Sequence, residues 1–266
     1  MTQRDQPETR FAAVGGGRGV FSSKARDYAR GRPAYLRALF AHIEQHLGAG
    51  EPLRIADVGA GTGVLTQGWL ERGHQAIAVE PNDEMRAAAD SVLGQHPHYR
   101  SMAAPAEATR LPAAAVDLVT AAQAFHWFEP EGFRRECLRI LRPEGQVALI
   151  WNDRATEAAV HKSLDSVFEE FGGQQRTAQA VRAAQQQGVR AFFTAGAFDS
   201  WRFEHEQHLD RSGLRSLVFS RSYMPAPDAP AGLAAARKID ALFEAFATND
   251  GLSLPYSCVL FLGRPG

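Results

Sequence analysis

Cysteine is scarce in this sequence: Cys137 and Cys258 are the two present in 266 residues. Two thiols are too few for a disulfide framework. Each falls in an apolar stretch, where a free cysteine behaves as a small buried hydrophobe. No apolar run reaches the ~18 residues that a membrane span needs. The N-terminal stretch Met1 to Gly19 is polar and glycine-rich and has no apolar core of a secretory signal. Lysine is nearly missing, since Lys24, Lys162 and Lys238 are the only lysines among 29 basic residues. With 30 acidic residues the net charge is −1, so no global basic surplus exists to drive phosphate neutralisation on nucleic acid. These absences describe a soluble chain in a reducing, cytoplasmic setting. A small-molecule substrate is the expected partner, with neither nucleic acid nor membrane involved, and the oligomeric state is left open.

What is present reads as globular, with 45% hydrophobic and 22% charged residues. Residues 1–19 form a loose tail ending in Gly15-Gly16-Gly17-Arg18-Gly19. Ser22 or Ser23 is placed to cap a short helix to about Arg30, and Pro33 suits the first turn of a second helix closed by Gly48. Strands are then expected over 53–58, 75–80, 99–103, 116–121 and 145–151, with helices over 64–72, 83–93 and 131–141. The last of these helices is read with Phe133, Cys137, Leu138 and Leu141 on one face. Nearly continuous apolar strands alternating with helices argue an α/β fold with an open, mostly parallel, Rossmann-like sheet covered on both faces. After Asn152 the pattern changes. Helices are expected over 156–171 and 177–187, as an insertion over one edge of the sheet. A period-two strand over 201–209, helices over 210–219 and 228–247, and a last apolar strand over 256–262 follow. One domain over 20–266 accommodates all of this, with 20–152 as its core and 153–198 and 210–248 as helical cap elements.

The most informative stretch is Asp57-Val58-Gly59-Ala60-Gly61-Thr62-Gly63, where a strand hands over to a helix. Glycines there permit positive φ and close approach of a ligand, and the helix start offers free N–H groups. The spacing counts against two common uses. A dinucleotide fingerprint G-x-G-x-x-G would put its third glycine at Val64 or at Thr66, depending on the register. A phosphate-binding P-loop needs a lysine after the loop, and none follows. The second strand ends in Val79-Glu80-Pro81-Asn82. A carboxylate at that point accepts hydrogen bonds from both hydroxyls of a ribose, so loop and acid together imply an adenosine-type cofactor. Asn82 is the better helix cap by residue preference, which leaves Glu80 for another role.

With these residues the sequence resembles the class I S-adenosylmethionine-dependent methyltransferases, in the small-molecule group called methyltransferase type 11. The resemblance is carried by the glycine loop and by Val79-Glu80-Pro81-Asn82-Asp83-Glu84-Met85. It continues in Ala106-Glu107 with Leu111-Pro112, in Asp117-Leu118-Val119 leading to Gln123-Ala124-Phe125-His126-Trp127-Phe128, and in Leu141-Arg142-Pro143-Glu144-Gly145. It covers residues ~20–152 well and is patchy beyond them. Glu144 departs from the family's more usual glycine, in a turn distant from the chemistry. The resemblance implies about seven strands with the last antiparallel. It implies S-adenosylmethionine as cofactor and S-adenosylhomocysteine as product. Asp57 and the backbone at Gly59, Ala60 and Gly61 would hold the methionine end, Glu80 and Pro81 would lie at the ribose, Met85 would pack on the adenine, and Ala106 and Glu107 would read its edge. Gln123 would face the methyl-transfer centre, and Tyr28 and Arg32 belong to a segment that folds over the cofactor in that family.

Methyl transfer from a sulfonium is an in-line displacement that needs alignment and exclusion of water, helped by a general base for a hydroxyl or acidic-carbon nucleophile. His126, just after the fourth strand, is the expected base. Trp127, Trp151, Arg221 and Tyr223 are expected to line the acceptor pocket, and its aromatic content favours an apolar or aromatic small molecule. No histidine, cysteine or carboxylate spacing suggests a metal site. Two rival readings stand beside this one. A nicotinamide-dependent oxidoreductase uses a similar loop and acid, and a catalytically silent cofactor-binding module would keep the same motifs.

Overall fold

The computed structural model describes residues 35–172, 188–193, 198–221 and 223–265. The expected helices before Arg30 and over 177–187, together with Tyr28, Arg32 and Pro33, lie outside the described residues. Helix α1 (Arg37–His46) leads into β1 (Arg54–Val58), α2 (Val64–Glu71), β2 (Gln75–Val79), α3 (Asp83–Leu93) and β3 (Tyr99–Met102). Then come β4 (Val116–Ala122), a single 3-10 turn over Phe125–Trp127, α4 (Pro130–Ile140) and β5 (Leu141–Arg154). The C-terminal part holds α5 (Ala159–Gly172), β6 (Phe198–Leu209), α6 (Arg211–Phe219), α7 (Pro230–Phe246) and β7 (Leu252–Gly263).

The seven strands make one sheet in the order β3-β2-β1-β4-β5-β7-β6. Pairs among β1 to β5 are parallel, and β7 alone runs against its neighbours β5 and β6. The order reverses between β1 and β4, which opens a crevice at the carboxyl ends of those strands, the usual ligand position in such sheets. Strand alternation sends Ile55, Leu118, Ala148 and Ile150 to one face, under Leu39 and Ile43 of α1 and Trp69 of α2. The opposite face carries Val58, Val119, Leu149 and Trp151 beneath Phe133 of α4 and Phe192. Both cysteines are buried and free. Burial pushes both thiols up, Cys258 to about 12, so neither supplies a thiolate near neutral pH.

Three sequence expectations are corrected. Leu138 does not share the buried face of α4 and is 43% exposed. The buried set is Gly132, Phe133, Glu136, Cys137 and Ile140; at 100° per residue Leu138 falls about 140° from Phe133. Strand β5 begins at Leu141 and runs on to Arg154, with a register irregularity that carries Arg142–Gly145 past the short step from Val116 to Leu118. Strand β7 begins at Leu252, not Tyr256. The early start of β5 comes from β4, where Leu141 pairs with Val116; its run to Arg154 and the early start of β7 share another cause, since β7 pairs along β5 to Arg154 and along β6 to Leu209 and so continues the ladder where local apolarity has ended. Beyond the crevice these long strands carry α5, α6 and α7, which share an apolar cluster including Leu164, Phe168, Leu217, Ile239 and Tyr256.

Close approach of α1 and α2 depends on Gly68, where an added Cβ would overlap the Phe40 ring. Phe40 is itself held edge-on against Trp69 at 4.7 Å. In an exposed helix alanine would be better than glycine by about 1 kcal/mol. Here overpacking wins, and Gly68→Ala is expected to destabilise the fold by about 1–3 kcal/mol. Urea unfolding checks this, and the same substitution made in a Phe40→Leu background should lose most of its cost.

Candidate functional site

Asp57, on the penultimate position of β1, is 1% exposed. Its carboxylate accepts from Thr66 Oγ1 at 2.6 Å and from Thr120 Oγ1 at 2.9 Å. One side chain thus joins β1 to α2 and to β4. Desolvation outweighs these bonds and pushes the acid up to about 6, with the Glu80 charge adding to the rise.

The glycine loop turns over this anchor. Gly59, Gly61 and Gly63 have φ of +70°, +58° and +82°, a region that costs other L-residues strain. The first and last also lack room for a side chain. A Cβ at Gly59 would stand 2.6 Å from Ala124 Cβ, and one at Gly63 would stand 2.8 Å from Leu93 Cδ1. Gly61 differs, with nothing within 4 Å of that position. Its N–H donates to Glu80 Oε2 at 2.9 Å, and Asn82 N–H donates to Glu80 Oε1 at 2.8 Å. Glu80 is 8% exposed, and burial raises its pKa against the two backbone donors and the Arg86 charge. Asn82 caps α3, its Oδ1 accepting from Met85 N–H at 2.9 Å.

Around this loop, Pro81 is half-buried while Met85 and Ala106 are buried. Glu107 Oε1 accepts from Glu129 N–H at 2.8 Å and so braces the start of α4. Gln123 follows β4 with φ +56°, a left-handed conformation uncommon for a non-glycine residue. Its N–H donates to Ile150 O at 2.9 Å and its Nε2 to Asn152 O at 3.0 Å. Strain of this kind persists where the surroundings over-determine it, often at functional positions. His126 sits on the next turn, its ring 5.2 Å from that of Trp127, which is 45% exposed.

The comparisons with known proteins bear on this geometry. A family model described as a methyltransferase domain matches residues 56–149. An uncharacterized methyltransferase from Mycobacterium tuberculosis is 33% identical over 242 residues, covering 90% of this chain and 93% of that protein. The chain belongs to the methyltransferase family. Among solved structures, a candidate type II methyltransferase from Anaeromyxobacter dehalogenans superposes with TM-score 0.64 at 24% identity, over 88% of this chain and 97% of that one. A candidate methyltransferase from an antibiotic biosynthesis pathway of Anabaena variabilis gives 0.61 at 17%, over 87% and 98%. The fold is that of the class I S-adenosylmethionine-dependent methyltransferases, as the resemblance in the sequence implied.

In this methyltransferase the glycine loop and Asn82 are tied to Glu80 through the Gly61 and Asn82 amides, whereas the expected acceptor residues do not form one wall. Trp151 lies on the sheet face of Phe125, at a ring distance of 6.2 Å. Tyr223 meets Phe168 of α5 edge-on at 5.9 Å, and the Arg221 guanidinium lies over the same ring at 5.7 Å. That is the helical cluster on the far side of β5, where Arg154 also covers Phe168. Successive strand residues point to opposite faces, so Trp151 and Arg154 diverge. Sequence reasoning missed Thr66, Thr120 and Asn152. Thr66 did leave a signal, since it occupies the place of the third glycine in one dinucleotide register. Among the described residues no cluster of three or more His, Cys, Asp or Glu is arranged to hold a metal ion, and no helix is long and apolar enough to cross a membrane.

The raised pKa of Asp57 makes a pH prediction. An acid lifted in the folded state contributes stability fully below its ordinary 3.8, and that contribution is lost as pH rises through about 6. The size is roughly 3 kcal/mol, at 1.36 kcal/mol per unit. Asp57→Asn carries no such charge. Comparing urea midpoints of the two proteins at about pH 4 and about pH 7, wild type should fall relative to Asp57→Asn as pH rises.

Proposed function

We propose that the protein transfers a methyl group from S-adenosylmethionine to a small-molecule acceptor. The observation that carries this reading is the open space at Gly61 beside the Glu80 carboxylate, at the crevice between β1 and β4. The residues present fit an adenosyl group. Each Glu80 oxygen accepts one backbone N–H and keeps a further lone pair for a ribose hydroxyl. Met85 and Ala106 supply apolar walls for an adenine, and Gly61 leaves room for close backbone approach. When bound, the cofactor supplies an electrophilic methyl on a sulfonium with a neutral leaving group.

The chain's own contribution is placement and dryness. Asp57, through Thr66 and Thr120, fixes the loop against β4. Gln123, held in a left-handed turn and tied to Asn152, presents the end of β4 to the crevice. His126 is the proposed base for an acceptor proton, standing at the carboxyl end of the sheet where such a group is needed. Tyr28 and Arg32 are proposed for the methionine carboxylate, a charge-assisted role suited to a guanidinium. The nicotinamide rival is disfavoured by Thr66, whose hydroxyl serves Asp57 where that fingerprint needs a glycine.

Isothermal titration with S-adenosylmethionine, S-adenosylhomocysteine and NADH tests the reading. Both sulfur compounds should bind and NADH should be silent. Glu80→Gln should weaken the sulfur compounds by roughly 10- to 100-fold, the worth of a hydrogen bond to a charged group. Heat with NADH and none with the other two would transfer the protein to the oxidoreductases.

A further inference from the structure

On the face of the sheet opposite α5, the register of β5, β7 and β6 sets Trp151, Val259 and Arg202 in one row and Asp153, Ser257 and Glu204 in the next. On the other side of Trp151, the adjoining row holds Leu149, Phe261 and Ser200. Over these rows opens a cleft of about 570 Å³, lined by Asp153, Arg202, Ser257 and Phe261 of the strands, by Val189, and by residues 154–157 at the turn into α5. That volume suits a small organic molecule. The floor is apolar, with Val259, Val189 and the half-buried Phe261. The cleft shares no residue with the glycine loop, with Glu80 or with Gln123, so it is a place apart from the cofactor crevice.

Most charges around the cleft already have partners. Arg154 pairs with Asp165 at 2.7 Å and lies over Phe168, towards α5. Glu157 pairs with Lys162 at 3.2 Å. Glu204 takes the Ser257 hydroxyl on both oxygens, at 2.8 and 2.6 Å. Asp153 and Arg202 differ. Both line the cleft, and neither makes a side-chain hydrogen bond or ion pair among the described residues. Arg202 is exposed and Asp153 half-buried, so solvent reaches both. They stand two strands and one same-face row apart, roughly 12 Å between Cα atoms at about 4.8 Å per strand and 3.4 Å per residue. A carboxylate sits close to its own backbone. A direct pair would therefore stretch the whole arginine stem across Val259, and it is not made. The cleft thus holds an anion and a cation with a gap between them and apolar surface beneath.

A singly charged ligand is poorly matched here. An anion drawn to Arg202 meets the charges of Asp153, Glu157 and Glu204, and a cation drawn to Asp153 meets those of Arg202 and Arg154. Like-charge juxtaposition suppresses such ligands, and complementary charge selects others. A zwitterion satisfies both ends. An α-amino acid carries its ammonium and carboxylate on one carbon, and the planar guanidinium fork suits a carboxylate. The apolar floor then takes its side chain, and Phe261 favours a ring, since aromatic pairs gain beyond the area they bury. We propose that this cleft is a second small-molecule site and that it binds a free α-amino acid with an aromatic side chain. The carboxylate lies against Arg202, the ammonium donates to Asp153, and the ring rests on Phe261 and Val259.

The test titrates the full chain with L-phenylalanine to about 10 mM, beside 2-phenylethylamine, which lacks the carboxylate, and 3-phenylpropanoate, which lacks the ammonium. Each titration is run with and without S-adenosylhomocysteine. L-Phenylalanine should bind, and each singly charged probe should bind roughly 3- to 10-fold more weakly, the worth of one partly screened charge-assisted contact. Arg202→Gln should erase the advantage of L-phenylalanine over 2-phenylethylamine, and Asp153→Asn its advantage over 3-phenylpropanoate. Both variants should keep the wild-type urea midpoint, which shows that they fold. The proposal is overturned if L-phenylalanine does not bind, if the singly charged probes bind as well as it does, or if both variants bind it as wild type does. It is equally overturned if S-adenosylhomocysteine displaces it, which would put the amino acid in the crevice. Failure of S-adenosylhomocysteine itself to bind would instead count against the cofactor reading, and the variants would still judge the cleft.

Discussion

The buried carboxylate of Asp57 is the constraint on which the candidate site depends. It is out of water, it is pushed towards neutrality, and it is held by hydroxyls from two other elements. A charge in that position is tolerated only when its lone pairs are filled, so Thr66 and Thr120 must stand where they do. Their placement fixes α2 and β4 relative to β1, and the glycine loop is the short connection stretched between them. Gly59 then has to pass beneath Ala124 and Phe128 with no side chain of its own. Glu80 closes the arrangement from β2 by taking the Gly61 and Asn82 amides. The result is a crevice whose polar groups are held by hydrogen bonds within the chain.

A second constraint acts through strand length. Strands β5, β6 and β7 run past the end of β4, and the ladder holds because each has a partner over that distance. The extension creates two faces with different occupants. One takes the apolar cluster of α5, α6 and α7, with Arg154 and Arg221 laid over Phe168. The other carries Trp151, packed edge-on against Phe125 and Phe261. Fold likeness does not itself name the acceptor, because one fold of this kind hosts many reactions.

Much of this was legible in the sequence, for identifiable reasons. Helix α3 was read to the residue, since Asn82 is a strong cap and the apolar spacing of Met85, Ala89 and Leu93 is helical. Parallel strands buried on both faces read as apolar runs, which makes β1, β2, β4 and β5 legible, while the edge strand β3, with no buried residue, carries a weaker signal. Strand β6 showed the period of two expected of an edge strand with one half-buried face. The boundaries of β5 and β7 were missed because polar residues such as Asn152 and Ser253 are kept extended by cross-strand partners. Leu138 was misplaced because its apolar character was weighed above its angle on the helix.

By itself, then, the sequence determined the order of elements, the glycine loop, the acid after β2 and through them the family. These are local matters: turn chemistry, capping and periodicity act over a few residues. Only the tertiary structure decided what Asp57 is bonded to, why Thr66 replaces a glycine, and that Trp151 parts company from Arg221 and Tyr223. Those depend on which strands are neighbours and on the parity of residues along them, and one residue of register reverses every side chain on a strand.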